Sequence, residues 1–548
     1  MNQINMISFI ILLVSSVRGQ LDCQTCMVAA QTLQYLLSNS QVQSTFKSYV
    51  AEFCSYSSTP TDCNSIGAVG IQEVTDVLQR RIVNPTYLCS GLGICSSASY
   101  VPEDFDIWAQ KILFNAPAHQ IPVRTTSYLY FAQISDVRLD LNYVSGKSNT
   151  CSSGPCCREG APASTSQIAG TYGDYNCDLP LSTFRMALDS ILASKPNFII
   201  WNGNSVTHDL TLSITDRLNT IKAATQEILN KFDSFLYPVF PIFGPLDCYP
   251  EHQYDFSNEA TLLKGLTSLW SIWLGKQAAA QFSTNGTYSV QYKNTNLRII
   301  GLNTMSCDIN NFYLFANITD PNGYISWLNS ELENAETNGY KVYIIGNIAP
   351  GSSSCVNSWS KHYSVLMERY QNTVMGQFFG NQNKDQFRIN TGYFSGKPTG
   401  IQFTAPSLSP YKNANPSFRI YQSDNLSKVV LNYVQYRLDL SETSPSFAEA
   451  YDFLSYYRTD DMLPTTILAL ATEMKGQELL MMKYAANKYT DGPDSLVGCN
   501  DQCINDLYCE ITNDRQEKLE ECQGVGQSLK EFALNTLYGE WTYLVKSS

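Results

Sequence analysis

Cysteine is the residue that most restricts how this chain can fold. Seventeen are present among 548 residues, and so many thiols persist as structure only where disulfides are stable, outside a reducing cytosol. They fall into four groups: Cys23, Cys26, Cys54, Cys63, Cys89 and Cys95; Cys151, Cys156, Cys157 and Cys177; Cys248, Cys307 and Cys355; and Cys499, Cys503, Cys509 and Cys522. The odd total leaves at least one thiol without a partner in the chain. Zinc competes for Cys23-x-x-Cys26, but the N-terminus favours disulfides. Met6 to Val17 is an apolar run of about twelve residues, shorter than the ~20 that span a bilayer. It ends in Val17-Arg18-Gly19, as a signal peptidase site requires. Residues 1–19 are expected to be a signal peptide, and the mature chain to be soluble in the secretory pathway, in a lysosome-like compartment or outside the cell. Asn285, Asn317 and Asn425 open Asn-x-Ser/Thr sequons, glycan acceptors in that setting.

Composition narrows the function. With 44% hydrophobic and 12% aromatic residues there is material for a large core, and at roughly 150 residues per domain the length implies about three domains. A formal charge of −13 with no basic run argues against nucleic acid or an anionic membrane surface as the main partner. No later segment has the apolar length of a transmembrane helix. The four histidines, His119, His208, His252 and His362, limit any site that needs clustered imidazoles.

From Gln20 to Cys95 apolar residues recur at helical spacing, in Cys26 to Leu37 and again in Ile71 to Leu78. The six cysteines of this stretch alone allow 15 connectivities. Residues 98–125 contain Pro102, Pro117 and Pro122 with little periodicity and read as a linker. From 126 to 440, short apolar strands (Ser127 to Ile134, Phe198 to Trp201, Leu297 to Leu302, Lys341 to Gly346) alternate with the helical candidates Leu181 to Ala193, Asp216 to Phe235 and Gly323 to Asn338. That alternation predicts an α/β β-sandwich flanked by helices. Residues 441–548 read as a helical, disulfide-bonded C-terminal domain.

In α/β folds the chemistry sits on loops after strand C-termini. Here those loops read Ser135-Asp136-Val137-Arg138-Leu139-Asp140, Trp201-Asn202-Gly203-Asn204, Phe243-Gly244-Pro245-Leu246-Asp247, Gly346-Asn347 and Phe379-Gly380-Asn381-Gln382-Asn383. Their order resembles the calcineurin-like metallophosphoesterases, whose loops carry Asp-x-His, Gly-Asp, Gly-Asn-His-Glu, Gly-His and Gly-His-x-His. More closely, the chain resembles the acid sphingomyelinase and acid sphingomyelinase-like phosphodiesterase family. The matches include Cys151 to Arg158, Asn176-Cys177-Asp178-Leu-Pro180, Ile345 to Gly351 and Arg369 to Gly380. The six N-terminal cysteines resemble a saposin B-type domain over residues 20–97. The resemblance implies the disulfides Cys23–Cys95, Cys26–Cys89, Cys54–Cys63, Cys151–Cys156, Cys157–Cys177, Cys307–Cys355, Cys499–Cys503 and Cys509–Cys522, with Cys248 left over. The multidomain order it implies is an all-α saposin domain (20–97), the linker (98–125), the metallophosphoesterase-like domain (126–440) and the helical C-terminal domain (441–548).

The departures decide the functional expectation. The family's two zinc ions are held at positions that read here Asp136, Arg138, Asn204, Pro245, Asn347, Asn381 and Asn383, and only Asp136 is retained. Amide oxygens are weak zinc donors, Pro245 offers none, and a guanidinium repels a cation. No zinc cofactor is therefore expected. The guanidinium of Arg138 is expected in the metal's place, paired with Asp136, the alternatives being that it points to solvent or that calcium binds Asp136 and the asparagines. His208, whose counterpart lies by the phosphate in the resembled enzymes, is retained as a catalytic candidate. Alone it offers roughly 10²- to 10⁴-fold, too little to replace metal activation of a nucleophile. The family's other catalytic histidine corresponds to Leu246. His119, His252 and His362 are expected to be ordinary polar residues. The expectation is a catalytically inactive pseudo-phosphodiesterase that retains binding of membrane lipid or a phospholipid headgroup, with a protein partner also considered. The alternative is an active sphingomyelin phosphodiesterase-type hydrolase with an altered site.

Overall fold

The computed structural model describes residues 105–524 apart from 152–154, 161–166, 258, 312, 315–319 and 497, and before them residues 27, 28 and 31. The expected signal peptide, the saposin domain with its three disulfides, and Asn317 lie outside the described residues. Phe105–Gly526 forms one compact unit.

Its strands in chain order are β1 (Tyr128–Ile134), β2 (Leu139–Asp140), β3 (Leu179–Pro180), β4 (Phe198–Trp201), β5 (Val239–Pro241), β6 (Tyr288–Gln291), β7 (Leu297–Gly301), β8 (Lys341–Ile348), β9 (Val374–Gly380), β10 (Gln386–Thr391), β11 (Pro398–Thr404), β12 (Ser417–Asp424), β13 (Val430–Leu438) and β14 (Phe447–Asp452). They build two six-stranded sheets, ordered β14-β13-β12-β1-β4-β5 and β10-β11-β9-β8-β7-β6. In the first, β1, β4 and β5 run parallel; in the second, β7, β8, β9 and β11 do. Parallel strands are covered on both faces, and for that reason Phe198 to Trp201 is an unbroken apolar run with every residue buried.

The sheets face each other across an aromatic layer. Phe131 of the first sheet packs against Tyr343 and Phe378 of the second, with centroids 5.3 and 5.2 Å away, an arrangement within the range favoured by ring quadrupoles. Strand alternation divides β8 between two cores. Tyr343 and Ile345 face the sheet interface, while Val342 and Ile344 face a second cluster with Ile325, Leu328 and Leu332 of the helix Tyr324–Thr337 and Trp359 and Tyr363 of the helix Asn357–Arg369.

Several expected elements form at or within a few residues of their predicted limits: β1, β4, β7, β8 and the helices Leu181–Ala193, Ile214–Lys231 and Tyr324–Thr337. A long helical segment, Ala260–Asn285, was not anticipated. It buries Leu262, Leu266, Trp270, Trp273 and Phe282, and it breaks at Gly275, whose φ of 72° suits glycine alone. The unit also crosses both expected boundaries. Residues 105–113, placed in the linker by sequence, form a helix whose Phe105 and Trp108 pack on His362, 4.7 and 4.5 Å between centroids. Beyond residue 440, β14 pairs with β13 and extends the first sheet. The helix Asp501–Thr512 then packs on β10: Arg388 Nε donates to Glu510 O at 3.1 Å. Within the unit the disulfides are Cys151–Cys156, Cys157–Cys177, Cys307–Cys355, Cys499–Cys503 and Cys509–Cys522, and Cys248 is a buried free thiol. Among the described residues no helix is long and apolar enough to cross a membrane.

Candidate functional site

Five loops converge where the parallel strands β1, β4, β5, β8 and β9 end. Two buried amides stitch the sheets together there. Gln133 Nε2 donates to Asn202 Oδ1 at 2.7 Å and to Phe379 O at 3.0 Å, and Asn202 Nδ2 donates to Gly346 O at 2.7 Å and Phe378 O at 2.9 Å. The loop backbones are held in an unusual state: Asp136, Arg138, Asn204, Asn381 and Asn383 have φ of 50, 45, 51, 67 and 61°. Left-handed φ is tolerated best by Asn and Asp and is costly for arginine, and such residues concentrate at functional sites.

Asp136 stands at the centre, fully buried. Its Oδ2 accepts from Ser135 Oγ at 2.6 Å and from the Asn381 backbone N–H at 2.8 Å. Its Oδ1 accepts from Asn204 Nδ2 at 2.8 Å and Arg138 Nη2 at 3.2 Å. Arg138 is 3% exposed, so it does not point to solvent. Its Nη2 also donates to Asn383 Oδ1 at 2.6 Å, and Asn204 Nδ2 reaches Asn381 Oδ1 at 3.1 Å. Asn347 turns its amide to Asn202 O, 2.5 Å away. Glycine at 244 is required because a Cβ there would lie 2.5 Å from both Asn204 Oδ1 and Asn347 Cγ.

A dinuclear zinc centre does not fit this donor set. One carboxylate is present, its oxygens are engaged by four hydrogen-bond donors, and a permanently charged guanidinium lies against it. Calcium on Asp136 would have to displace the same four donors. Among the described residues, the one group of metal-ligand side chains close enough to share an ion is Cys157, Asp174 and Cys177, and its two sulfurs are bonded to each other. Pro245 is buried, and its carbonyl accepts the His252 N–H at 3.0 Å. Asp247, in the same loop, is structural: it accepts the N–H groups of Gly244, Asn204 and Ser205 at 2.8, 2.9 and 2.7 Å. Burial outweighs these bonds and pushes its carboxyl up to about 6.

On the other side of the loop cluster a histidine is held by a buried carboxylate. His208 Nδ1 lies 3.0 Å from both oxygens of Asp178, and its backbone N–H donates to the same carboxylate at 2.7 Å. Thr207 Oγ1 and Ser409 Oγ complete the shell at 2.8 and 3.0 Å. Burial alone would raise Asp178, but the neighbouring His208 and Arg138 and these bonds bring it down to about 2. The ring of Tyr411 covers His208 at 4.3 Å. Sequence reasoning missed Asp178 as the residue that orients His208, although Asn176-Cys177-Asp178 carried part of the family resemblance. The other histidines stand apart. His252 Nδ1 pairs with Asp308 at 2.7 Å, His362 Nδ1 donates to Ser358 O at 2.6 Å, and His119 is exposed. Burial pushes the Cys248 thiol up, so it is not a thiolate nucleophile.

Two facing mixed sheets with this loop cluster at one end define an α/β fold of the metallophosphoesterase type. No family model matches the chain, but full-length comparisons do. It is 28% identical to sphingomyelin phosphodiesterase A of Dictyostelium discoideum over 92% of this chain and 91% of that one. It is 29% identical to the Bos taurus sphingomyelin phosphodiesterase over 85% and 77%, and 29% identical to a cyclic GMP-AMP phosphodiesterase of Homo sapiens over 70% and 87%. Among solved structures, a dimetal phosphatase from Danio rerio aligns at 12% identity and TM-score 0.35 over 57% of this chain and 96% of that one. Over most of its length the chain is thus similar to sphingomyelin phosphodiesterases.

Proposed function

We propose that this protein is a secreted or lysosomal pseudo-phosphodiesterase of the acid sphingomyelinase family, which binds a lipid or phospholipid headgroup without hydrolysing it. The observation that carries this reading is the buried Arg138–Asp136 ion pair at the loop junction. Metal-dependent hydrolysis needs a bound ion to acidify water and to stabilise charge on phosphoryl oxygens, and a guanidinium cannot acidify water. In its sequence the N-terminal segment resembles a saposin B-type domain and supplies the expected contact with membrane lipid. The expected signal peptide and the disulfides favour the secretory route.

The Asp178–His208 pair favours a second reading, a hydrolase that works through acid–base help alone. The discriminating experiment is an assay of the purified full-length chain with added zinc against sphingomyelin and a generic phosphodiester. No turnover above the uncatalysed rate is expected. Turnover that disappears in His208→Ala would establish the second reading.

A further inference from the structure

Arg138 carries more donors than the protein satisfies. Nη2 serves Asp136 and Asn383, while Nε and Nη1, equally buried, meet no hydrogen-bond partner in the protein. Nearly all buried donors in folded proteins are paired, so an orphaned cationic N–H indicates an acceptor that the chain itself does not supply. The adjacent carboxylates are saturated. Asp136 accepts from four donors and Asp178 from Thr207, Ser409 and both nitrogen donors of His208, and an ionised carboxylate offers about four lone-pair sites.

Other unpaired donors surround the guanidinium. The segment 407–412 is folded over the first loop: Ser407 Oγ and the Ser409 N–H both donate to Asp136 O at 3.1 Å. It lays Tyr411 on His208 and leaves Lys412 at the rim in a left-handed turn, φ 65°. The Lys412 ammonium lies 5.6 Å from the centre of the Tyr411 ring, the ring that covers His208. With Nδ1 committed to Asp178, His208 keeps Nε2 free, and its side chain is 24% exposed. Acceptors in this half of the cleft are therefore used up and donors are in surplus.

The geometry points to a metal-free oxyanion site in which Arg138, Lys412 and His208 Nε2 take a phosphate group, the guanidinium supplying positive charge without a metal ion. The inference rests on the reading that the cleft binds a phosphorylated headgroup without zinc, and it names the residues that do so. Guanidinium suits the task because it stays charged and hydrogen-bonds phosphate oxygens directionally. A lipid headgroup and a free phosphate offer the same chemistry.

The test is calorimetric titration of the full-length chain in EDTA with inorganic phosphate and with phosphocholine, alongside flotation with sphingomyelin vesicles. Saturable binding is expected, weakened about ten- to a hundredfold by Arg138→Gln, as for loss of a charged hydrogen bond, and less by Lys412→Ala. Binding of phosphocholine and vesicles identifies a headgroup, and binding of inorganic phosphate alone identifies a free anion; both support the site. Lys412 lies at the rim, so its variant is informative even where Arg138→Gln fails to fold. No saturable binding in EDTA, or affinity unchanged in both variants, overturns the inference. If turnover is also absent, the pseudo-enzyme reading stands while the oxyanion site falls. Zinc-dependent turnover overturns both.

Discussion

The two halves of the loop cluster are built differently. On one side the carboxylate Asp136 is enclosed by Ser135, Arg138, Asn204 and Asn381, which satisfy it with hydrogen bonds instead of a metal. On the other, Asp178 still orients His208 under the ring of Tyr411. Both halves hold a buried carboxylate hydrogen-bonded to a nitrogen-bearing side chain, Arg138 in one and His208 in the other. They differ in what faces the cleft: the first presents a fixed guanidinium, the second an imidazole whose outer nitrogen is free. An acid–base group without a metal retains geometry for contact with phosphate but lacks a means of generating the nucleophile.

The largest effect should come from breaking the first half. Asp136→Ala leaves a buried, uncompensated guanidinium, and about 3–5 kcal/mol of stability should be lost in urea unfolding. A loss below about 1 kcal/mol would show that Arg138 relaxes to solvent and is no substitute for a metal.

The second half should respond to pH. Asp178 is held at about 2 in the folded chain, below its ordinary value of about 3.9. Its ionised form stabilises the fold above the unfolded value, and that contribution is lost as pH falls from about 4 toward 2. Asp178→Asn should therefore cost about 2 kcal/mol at neutral pH, with the difference from wild type vanishing near pH 2. A pH-independent difference would mean that Asp178 acts by packing alone.

Legibility in the sequence followed the range of the interactions. Strands such as Phe198–Trp201 and the helix Leu181–Ala193 are written in local apolar patterns. The helix Ala260–Asn285 was not legible, because Leu262, Leu263, Leu266, Trp270, Trp273 and Leu274 bury so much of its surface that no clean polar face marks its period, and Gly275 interrupts it. The strand β14 was missed because its partner β13, not its own half-exposed sequence, makes it a strand. In the site, the loop positions were readable from motif order, but their partners were not. Arg138 meets Asn383 across 245 residues and His208 meets Asp178 across 30, contacts without a local signature.

Two smaller perturbations serve as controls for the comparison. Cys248 lies beside the Gly244–Asp247 loop yet belongs to the core. Cys248→Ala should cost about 1 kcal/mol through lost packing and leave phosphocholine binding unchanged, and the native thiol should resist thiol reagents until the chain unfolds. Asn425 is exposed in the turn between β12 and β13, and Asn425→Gln should shift stability by less than about 0.5 kcal/mol. Its measurable consequence is the loss of one glycan by mass spectrometry.

The central claim is the proposal that the loop cluster around Asp136 binds no zinc. The direct measurement is zinc content by elemental analysis of the full-length chain and of Asp136→Ala, after equilibration with zinc and removal of the free ion. The account predicts equal, low zinc in both. About two zinc ions per chain in the wild type, lost in Asp136→Ala, would contradict it.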